Sequence, residues 1–161
     1  MDKLYDSETG CCPRFNPEPW DEKDHNFKNK LFIKDRVRSI LHIPINFGSV
    51  MTTNMEKIAS AGALTPSPFM LADENSLWGS DIYIEVTKNI PDSQMAAISG
   101  SFLTKVFEGP YKNMRGWIKQ MQDFVASRGR KMNKLYFFYT TCPKCAKFYG
   151  KNYVVLVAKV D

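Results

Sequence analysis

Apolar residues recur at helical spacing in the second half of the chain, at Met114, Trp117, Ile118, Met121 and Val125. A run with strand character precedes them and breaks at Gly109-Pro110. Glycine gives the backbone conformational freedom and proline suits the first turn of a helix, so the pattern predicts a strand over 98–107 that leads into a helix over 111–128. Trp117 falls on the apolar side of that helix, and we expect it in the core.

The same spacing occurs 63 positions earlier, at Met51, Asn54, Met55 and Ile58. The first half therefore reads as a strand over 36–45, a helix ending at Gly62, a short strand over 69–72, a turn over 73–76 and an alternating strand over 80–88. The second half repeats this order, with its last two strands over 135–141 and 153–160. Trp78-Gly79-Ser80-Asp81 is echoed by Tyr149-Gly150-Lys151-Asn152, which supports an internal duplication.

The duplicated order predicts an α+β fold. Two β-α-β-β units bury their apolar faces if their strands join in one antiparallel sheet with both helices on one face. The other face would then form a ligand groove at the seam between the halves. We expect this domain over 31–161, with repeats at about 31–90 and 96–161. Residues 1–30 are rich in Pro, Asp, Glu and Lys, and we expect an extended arm packed on the domain.

Composition limits the class of protein. Of the 161 residues, 43% are hydrophobic and 13% aromatic, which is enough for one domain with a substantial core. The formal net charge is +5, but Lys and Arg are scattered among Asp and Glu, so we do not expect nucleic acid as a partner. No apolar run reaches the roughly 20 residues that cross a bilayer, and the first residues are polar, so we expect a cytoplasmic protein with no membrane partner.

The second half of the chain resembles the gyrase-inhibitor-like (GyrI-like) small-molecule-binding family. The resemblance rests on Gly100-Ser101-Phe102, Glu108-Gly109-Pro110-Tyr111, the helix through Trp117 and the closing strand over 157–160. The first half fits a degenerate first repeat of that family. The resemblance implies a cleft for flat aromatic or cationic compounds, used for drug sensing in transcription regulators, for stand-alone binding or, in one branch, for hydrolysis of cyclopropane-containing genotoxins.

Three departures narrow what the resemblance implies. Phe107 stands where many members have His, and the last strand reads Val154-Val155-Leu156-Val157 where many have an acidic residue. No acid in the final strand is therefore carried over to this chain. No helix-turn-helix pattern precedes the domain, so we do not expect a one-chain transcription regulator.

Alternation along the strand over 80–88 places Asp81, Tyr83 and Glu85 on one face, opposite to Ile82, Ile84 and Val86. The apolar set should meet the helices, so the acids and the tyrosine either line the groove or lie on a solvated face. A carboxylate among aromatic rings can act as an acid or base, or attract a cation. Trp78, beside this strand, and Tyr139 are further candidates for ligand contact.

Glu108 and Tyr111 flank the strand-to-helix turn. Glu108 is either a charge at the helix N-terminus or a groove residue, and Tyr111 either packs or contacts a ligand. In a hydrolase, Glu85 or Glu108 would activate a water, and Tyr83 or Tyr111 would donate a proton. The histidines His25 and His42 are interpreted as structural residues.

The four cysteines form a compact chemical signal. Cys142 and Cys145 make a C-x-x-C motif with an intervening proline, and Cys11-Cys12 supplies two more thiols. Four thiolates can complete a tetrahedral structural zinc shell. Redox-active thiols and inert buried thiols are the open alternatives, because disulfides are rare in the cytosol.

Together these observations favour a small-molecule-binding protein with an aromatic and acidic cleft for hydrophobic or cationic compounds. The resemblance extends this to a possible hydrolase of a reactive cyclopropane-type compound, so whether the protein is an enzyme stays open at this point. The alternative is a non-catalytic interaction protein that contacts a protein partner and holds structural zinc in its cysteine hairpin.

Overall fold

The computed structural model describes residues 15–40, 43–44, 46–65, 69–140, 147 and 150–160. Its elements are β1 (Lys23–Ile40), β2 (Ile43–Pro44), α1 (Phe47–Ser60), β3 (Met70–Ser76), β4 (Gly79–Glu85), β5 (Met95–Glu108), a 3-10 helix (Tyr111–Asn113), α2 (Met114–Ser127), β6 (Met132–Tyr139) and β7 (Tyr153–Val160). The chain divides into two compact units. Unit A is Lys28–Ser99, and unit B is Gly100–Asp161 together with the residues up to Phe27.

In unit A, β4 lies between β1 and β3 and pairs antiparallel with both. Helix α1 covers the sheet face that contains Ile82, because the cross-strand partner of Ile82 is Asp35, and Asn54 of α1 donates a hydrogen bond to the Asp35 carboxylate at 2.8 Å. Ile82 and Ile58 are buried. The predicted alternation of β4 is therefore correct, with its apolar residues on the helix side.

In unit B, β7 is the central strand and pairs antiparallel with β5 and β6. All of Val154 to Ala158 is buried, so this strand is covered on both faces. Helix α2 packs through Trp117, whose ring stacks on Phe107 of β5 at 5.7 Å. Trp117 is buried, and its predicted place in the core is confirmed.

Each unit has the order strand, helix, strand, strand, and in each the third strand lies between the other two. The sheet itself differs from the prediction. Hydrogen-bonded strands follow the order β2-β1-β4-β3-β6-β7-β5, and β1 also pairs with β5, so six strands close the sheet on itself. The predicted α+β fold, one open antiparallel sheet with two helices on one face and a groove on the other, is therefore wrong. The described part of the chain is mostly β-structure, with two short α-helices.

Strand β1 explains the difference. It has 18 residues and begins at Lys23, whereas the sequence predicts a strand only from Arg36. Its first half reads KDHNFKNK, which has no run of apolar residues to signal a strand. A strand of this length pairs with β4 and with β5, and pairing removes the sheet edges that an open sheet leaves exposed.

Two smaller elements also depart from prediction. Strand β3 continues to Ser76, through residues 73–76 that we predict as a turn. The 3-10 helix takes the first turn of the helix predicted from Tyr111, and α2 begins only at Met114. None of the helices in the described part of the chain is long and apolar enough to span a membrane.

Candidate functional site

The sheet of unit A has a second face, opposite to α1, which we call the acid face. The alternation of β4 places Asp81, Tyr83 and Glu85 on this face, as the sequence predicts. The register of the neighbouring strands adds the residues that pair with them. From β1 these are Phe32, Lys34 and Arg36, and from β3 they are Leu71 and Asp73.

Each ionisable residue of β4 on the acid face meets a cation from β1. The Arg36 guanidinium donates to Asp81 at 2.9 Å, and the Lys30 ammonium lies 3.2 Å from Glu85. Lys34 lies over the Tyr83 ring, 5.6 Å from its centroid. Asp81 and Glu85 keep 19% and 21% of their side-chain surface exposed, so both acids remain within reach of a ligand.

Hydrogen bonds connect Asp81 to Asp73, a residue that the sequence does not predict for the site. Asp73 lies directly opposite Asp81 and is buried. Asn75 donates to Asp81 at 2.8 Å and to Asp73 at 3.4 Å, so one amide bridges both carboxylates. The sequence predicts a turn at Asp73, and no pattern in it places Asp73 opposite Asp81. Only the register of β3 against β4 brings these two carboxylates together.

The neighbours of Asp81 hold its carboxyl in the charged form. Burial acts to raise the pKa of Asp81, but hydrogen bonds from Arg36 and Asn75, together with the charges of Lys34 and Arg36, outweigh it. The pKa of Asp81 is therefore lowered from its ordinary value of 3.8. Asp81 is an anion at neutral pH, which suits binding or positioning and not proton donation.

Aromatic rings line the same face. The buried ring of Phe32 meets Tyr83 edge-on at 6.4 Å and Phe69 at 5.8 Å. Trp78, which we predict as a ligand-stacking wall, lies in the turn between β3 and β4 and is 63% exposed. An exposed indole beside a polar and aromatic face is available for stacking against a flat compound.

The remaining predicted residues lie in unit B. Glu108 is the last residue of β5, is exposed, and lines a shallow surface depression of about 390 Å³ with Gly109 and Asn152. Asn152 fixes this turn, because its side chain donates to the Gly109 carbonyl at 2.8 Å while its own carbonyl accepts from the Gly109 amide at 3.0 Å. The 3-10 helix begins at Tyr111 and α2 at Met114, and neither has an acidic residue in its first turn, so Glu108 lies before both helices.

Tyr111 and Tyr139 come together, with ring centroids 5.9 Å apart and an interplanar angle of 80°. Tyr139 and Phe107 share Val154 as cross-strand partner, and Phe107 stacks on Trp117. The tyrosine pair therefore lies on the α2 side of unit B, whereas Glu108 belongs to the opposite face of β5. Glu85 and Tyr83 belong to unit A, so the predicted catalytic set is divided between the units.

The predicted zinc ligands Cys11, Cys12, Cys142 and Cys145 lie outside the described residues, as does His42. Within the described ranges, no group of three His, Cys, Asp or Glu side chains could hold a metal ion. Zinc binding by the four cysteines stays a prediction. His25 contacts the Thr104 hydroxyl at 3.1 Å and stacks on Trp20, which fits the structural role that we predict for it.

Comparisons with known proteins agree with this architecture. The family described as bacterial hydrolase matches residues 2–160. The C-terminal domain of EcmrR is structurally similar, with a TM-score of 0.62 and 11% identity over 88% of this chain and 98% of that one. A hydrolase from Listeria innocua gives a TM-score of 0.62 and 13% identity over 88% of this chain and 93% of that one. A search of curated proteins finds no match.

At these identities the structural likeness shows a shared fold and nothing finer. The matched domain and hydrolase fit the GyrI-like resemblance of the sequence, although the matched family has a different name.

Proposed function

We propose a function from the family to which this chain belongs, the bacterial hydrolases. Unit A binds a small organic molecule on its acid face and hydrolyses it. The family supplies the reaction class, and the arrangement of β4 and β1 supplies the residues. The GyrI-like resemblance supplies the kind of substrate, a reactive compound with a strained ring.

The observation that carries the proposal is the pairing of Glu85 with Tyr83 on one face of β4. Residues two positions apart on a strand are separated by about 7 Å, which leaves room for a water and one substrate atom between a carboxylate and a phenol. A carboxylate can accept a proton from water and a phenol can donate one. Glu85 is the proposed general base and Tyr83 the proposed general acid.

The charges of the acid face favour a neutral substrate. The three acids Asp73, Asp81 and Glu85 are balanced by Lys30, Lys34 and Arg36. A cation would therefore gain little from the summed field of this face. The partly exposed ring of Tyr83, which packs edge-on against the buried ring of Phe32, instead favours a flat aromatic group, because such a group gains from burial and from ring contacts.

In the proposed reaction, Glu85 accepts a proton from a water whose oxygen bonds to an electrophilic ring carbon. The strained ring bond breaks, and Tyr83 gives its proton to the atom that is released. One water is added across the broken bond. The proton held by Glu85 then returns to Tyr83 through solvent, which restores both groups. Asp81, held as an anion by Arg36, positions Arg36 and takes no part in proton transfer.

Turnover of a strained-ring compound tests this proposal. We would incubate the protein with naphthyl-substituted epoxides and electron-poor cyclopropanes and follow addition of water by chromatography. Glu85→Gln should lower kcat by about 100-fold or more, and Tyr83→Phe by a smaller factor, since general acid–base groups typically contribute 10²–10⁴-fold.

The matched control is Glu56→Gln, which removes an exposed acid on α1 and should leave kcat unchanged. Equal turnover by wild type and Glu85→Gln would remove Glu85 from the mechanism. Binding of naphthyl compounds without any turnover would reduce the proposal to a binding function. Each variant should first show the same circular dichroism spectrum as the wild type.

A further inference from the structure

Residues 15–22 lie over the sheet face of unit B that is opposite to α2. We call these residues the strap. Phe15 meets the rings of Phe138 at 5.9 Å and Tyr153 at 5.7 Å, and Trp20 meets Phe138 at 5.6 Å. Tyr153 and Phe138 point away from α2, because the register places them on the other face from Phe107. The strap therefore covers an aromatic face that α2 does not cover.

Polar contacts hold the strap along β5. The Thr104 hydroxyl donates to the Trp20 carbonyl at 2.6 Å, and the Val106 amide donates to the Asp21 carboxylate at 3.1 Å. The Glu22 carbonyl accepts from Arg128 at 3.3 Å. The Asp21 side chain thus accepts a hydrogen bond from the main chain of β5. In a β-sheet, the backbone of a neighbouring strand would accept it.

The strap has little structure of its own. It contains one turn, in which the Pro17 carbonyl accepts from the amides of Trp20 and Asp21 at 3.0 Å each. Glu22, where the strap joins β1, has a φ of 52°, a conformation that a residue with a side chain adopts at some cost. A segment with few backbone hydrogen bonds, held by rings and side chains, opens at a lower free energy than the strands beneath it.

From these contacts we propose that the strap detaches while the rest of unit B stays folded. Its opening uncovers the aromatic face formed by Phe138, Tyr153 and the Thr104 hydroxyl. The strap itself indicates what the uncovered face accepts, namely a planar aromatic group whose hydrogen-bond acceptor takes the place of the Trp20 carbonyl. The strap and the face that it covers belong to unit B, and their proposed role does not depend on the hydrolytic site proposed for unit A.

Hydrogen exchange on the intact chain tests the opening. The Val106 amide, bonded to Asp21, should exchange at least 10-fold faster than the amide of Val155 in the central strand, after correction for intrinsic rates. Asp21→Ala should speed exchange at Val106 a further 10-fold and leave Val155 unchanged. Asp24→Ala, which removes a nearby exposed carboxylate, is the control and should change neither amide. Equal rates at Val106 and Val155 would overturn the proposal.

Ring binding gives a second readout that a purely structural strap would not produce. Trp20→Ala should bind the dye 1-anilinonaphthalene-8-sulfonate saturably at one site, at least 10-fold more tightly than wild type. A synthetic peptide of residues 15–22 should displace the dye. Leu77→Ala, which alters an exposed apolar residue of unit A, should bind the dye as wild type does. Equal binding by wild type and Trp20→Ala, or no displacement by the peptide, would contradict the proposal. If Trp20→Ala fails to fold, the exchange rates of the wild type decide.

Discussion

The ion pair between Asp81 and Arg36 gives a prediction whose sign can be worked out from the structure. Replacing Asp81 with Asn removes the charge and keeps the shape of the side chain. The change has two opposing effects. It loses the charged hydrogen bond to Arg36 at 2.9 Å, and it removes the cost of burying a charge at this position. Because the pKa of Asp81 is lowered overall, its attractive partners outweigh the effect of burial. Asp81→Asn should therefore destabilise the protein.

The expected magnitude is about 1 kcal/mol. Arg36 is half exposed, and pairs of this kind are typically worth 0.2–1 kcal/mol across a sheet. In a chain of this length, a loss of about 1 kcal/mol lowers Tm by roughly 2–4 °C. Urea denaturation at pH 7 would measure it directly. Arg36→Met keeps the aliphatic stem, and the double variant should show a coupling energy of about 0.5–1 kcal/mol with Asp81.

The pH dependence of the free energy of unfolding gives a second test of this prediction. A carboxyl whose pKa is lower in the folded state stabilises the protein above its unfolded pKa, and this contribution is lost as the pH falls through the folded pKa. The difference between wild type and Asp81→Asn should thus be constant above about pH 5 and shrink below pH 3.8. Asp92→Asn, at an exposed turn, is the matched control and should show no such difference. A more stable Asp81→Asn variant at pH 7, or zero coupling energy with Arg36, would show that the Asp81 carboxylate does not stabilise the fold.

Three further predictions concern packing and metal content. Gly79→Ala should cost about 1–3 kcal/mol by urea denaturation, because an added Cβ would lie 2.8 Å from the Val37 carbonyl oxygen. Gly116→Ala, at the third residue of α2 with nothing within 4 Å of the added atom, should instead stabilise by up to about 1 kcal/mol. The same sign for both glycines would contradict the packing described. Trp117→Ala should lose about 3–5 kcal/mol in the same assay, and a loss below 1 kcal/mol would place this ring outside the core. Atomic absorption should find one equivalent of zinc in the purified protein if Cys11, Cys12, Cys142 and Cys145 all bind it. Metal-free protein would favour redox-active or inert thiols.

The sequence predicts the local elements where hydrophobic periodicity is strong. The alternation of β4 and the helical spacing around Trp117 both appear in the structure, and so does the order of strands and helices in each unit. The polar first half of β1 has no such signal. Its residues become a strand only because β4 and β5 pair with them, which is a tertiary effect.

The candidate site was predictable only as single residues. Alternation places Asp81, Tyr83 and Glu85 on one face, and this follows from the period of a strand. Their partners Arg36 and Asp73 are 45 and 8 positions away, and only the strand registers bring them opposite Asp81. A shift of either register by one residue would turn those side chains to the other face. The ion pairs, and the neutral balance of the acid face that follows from them, therefore could not be derived from the sequence.

Mapping by NMR would show whether a ligand binds at the acid face of unit A. Naphthol, a neutral planar compound, would be titrated into the labelled protein while backbone amide shifts are followed. We expect saturable shifts at Tyr83 and Glu85 of β4 and at their neighbours Phe32 and Lys34 of β1. Tyr83→Ala should lower the affinity for naphthol. No saturable shift at these four residues, with all of them visible in the spectrum, would contradict it.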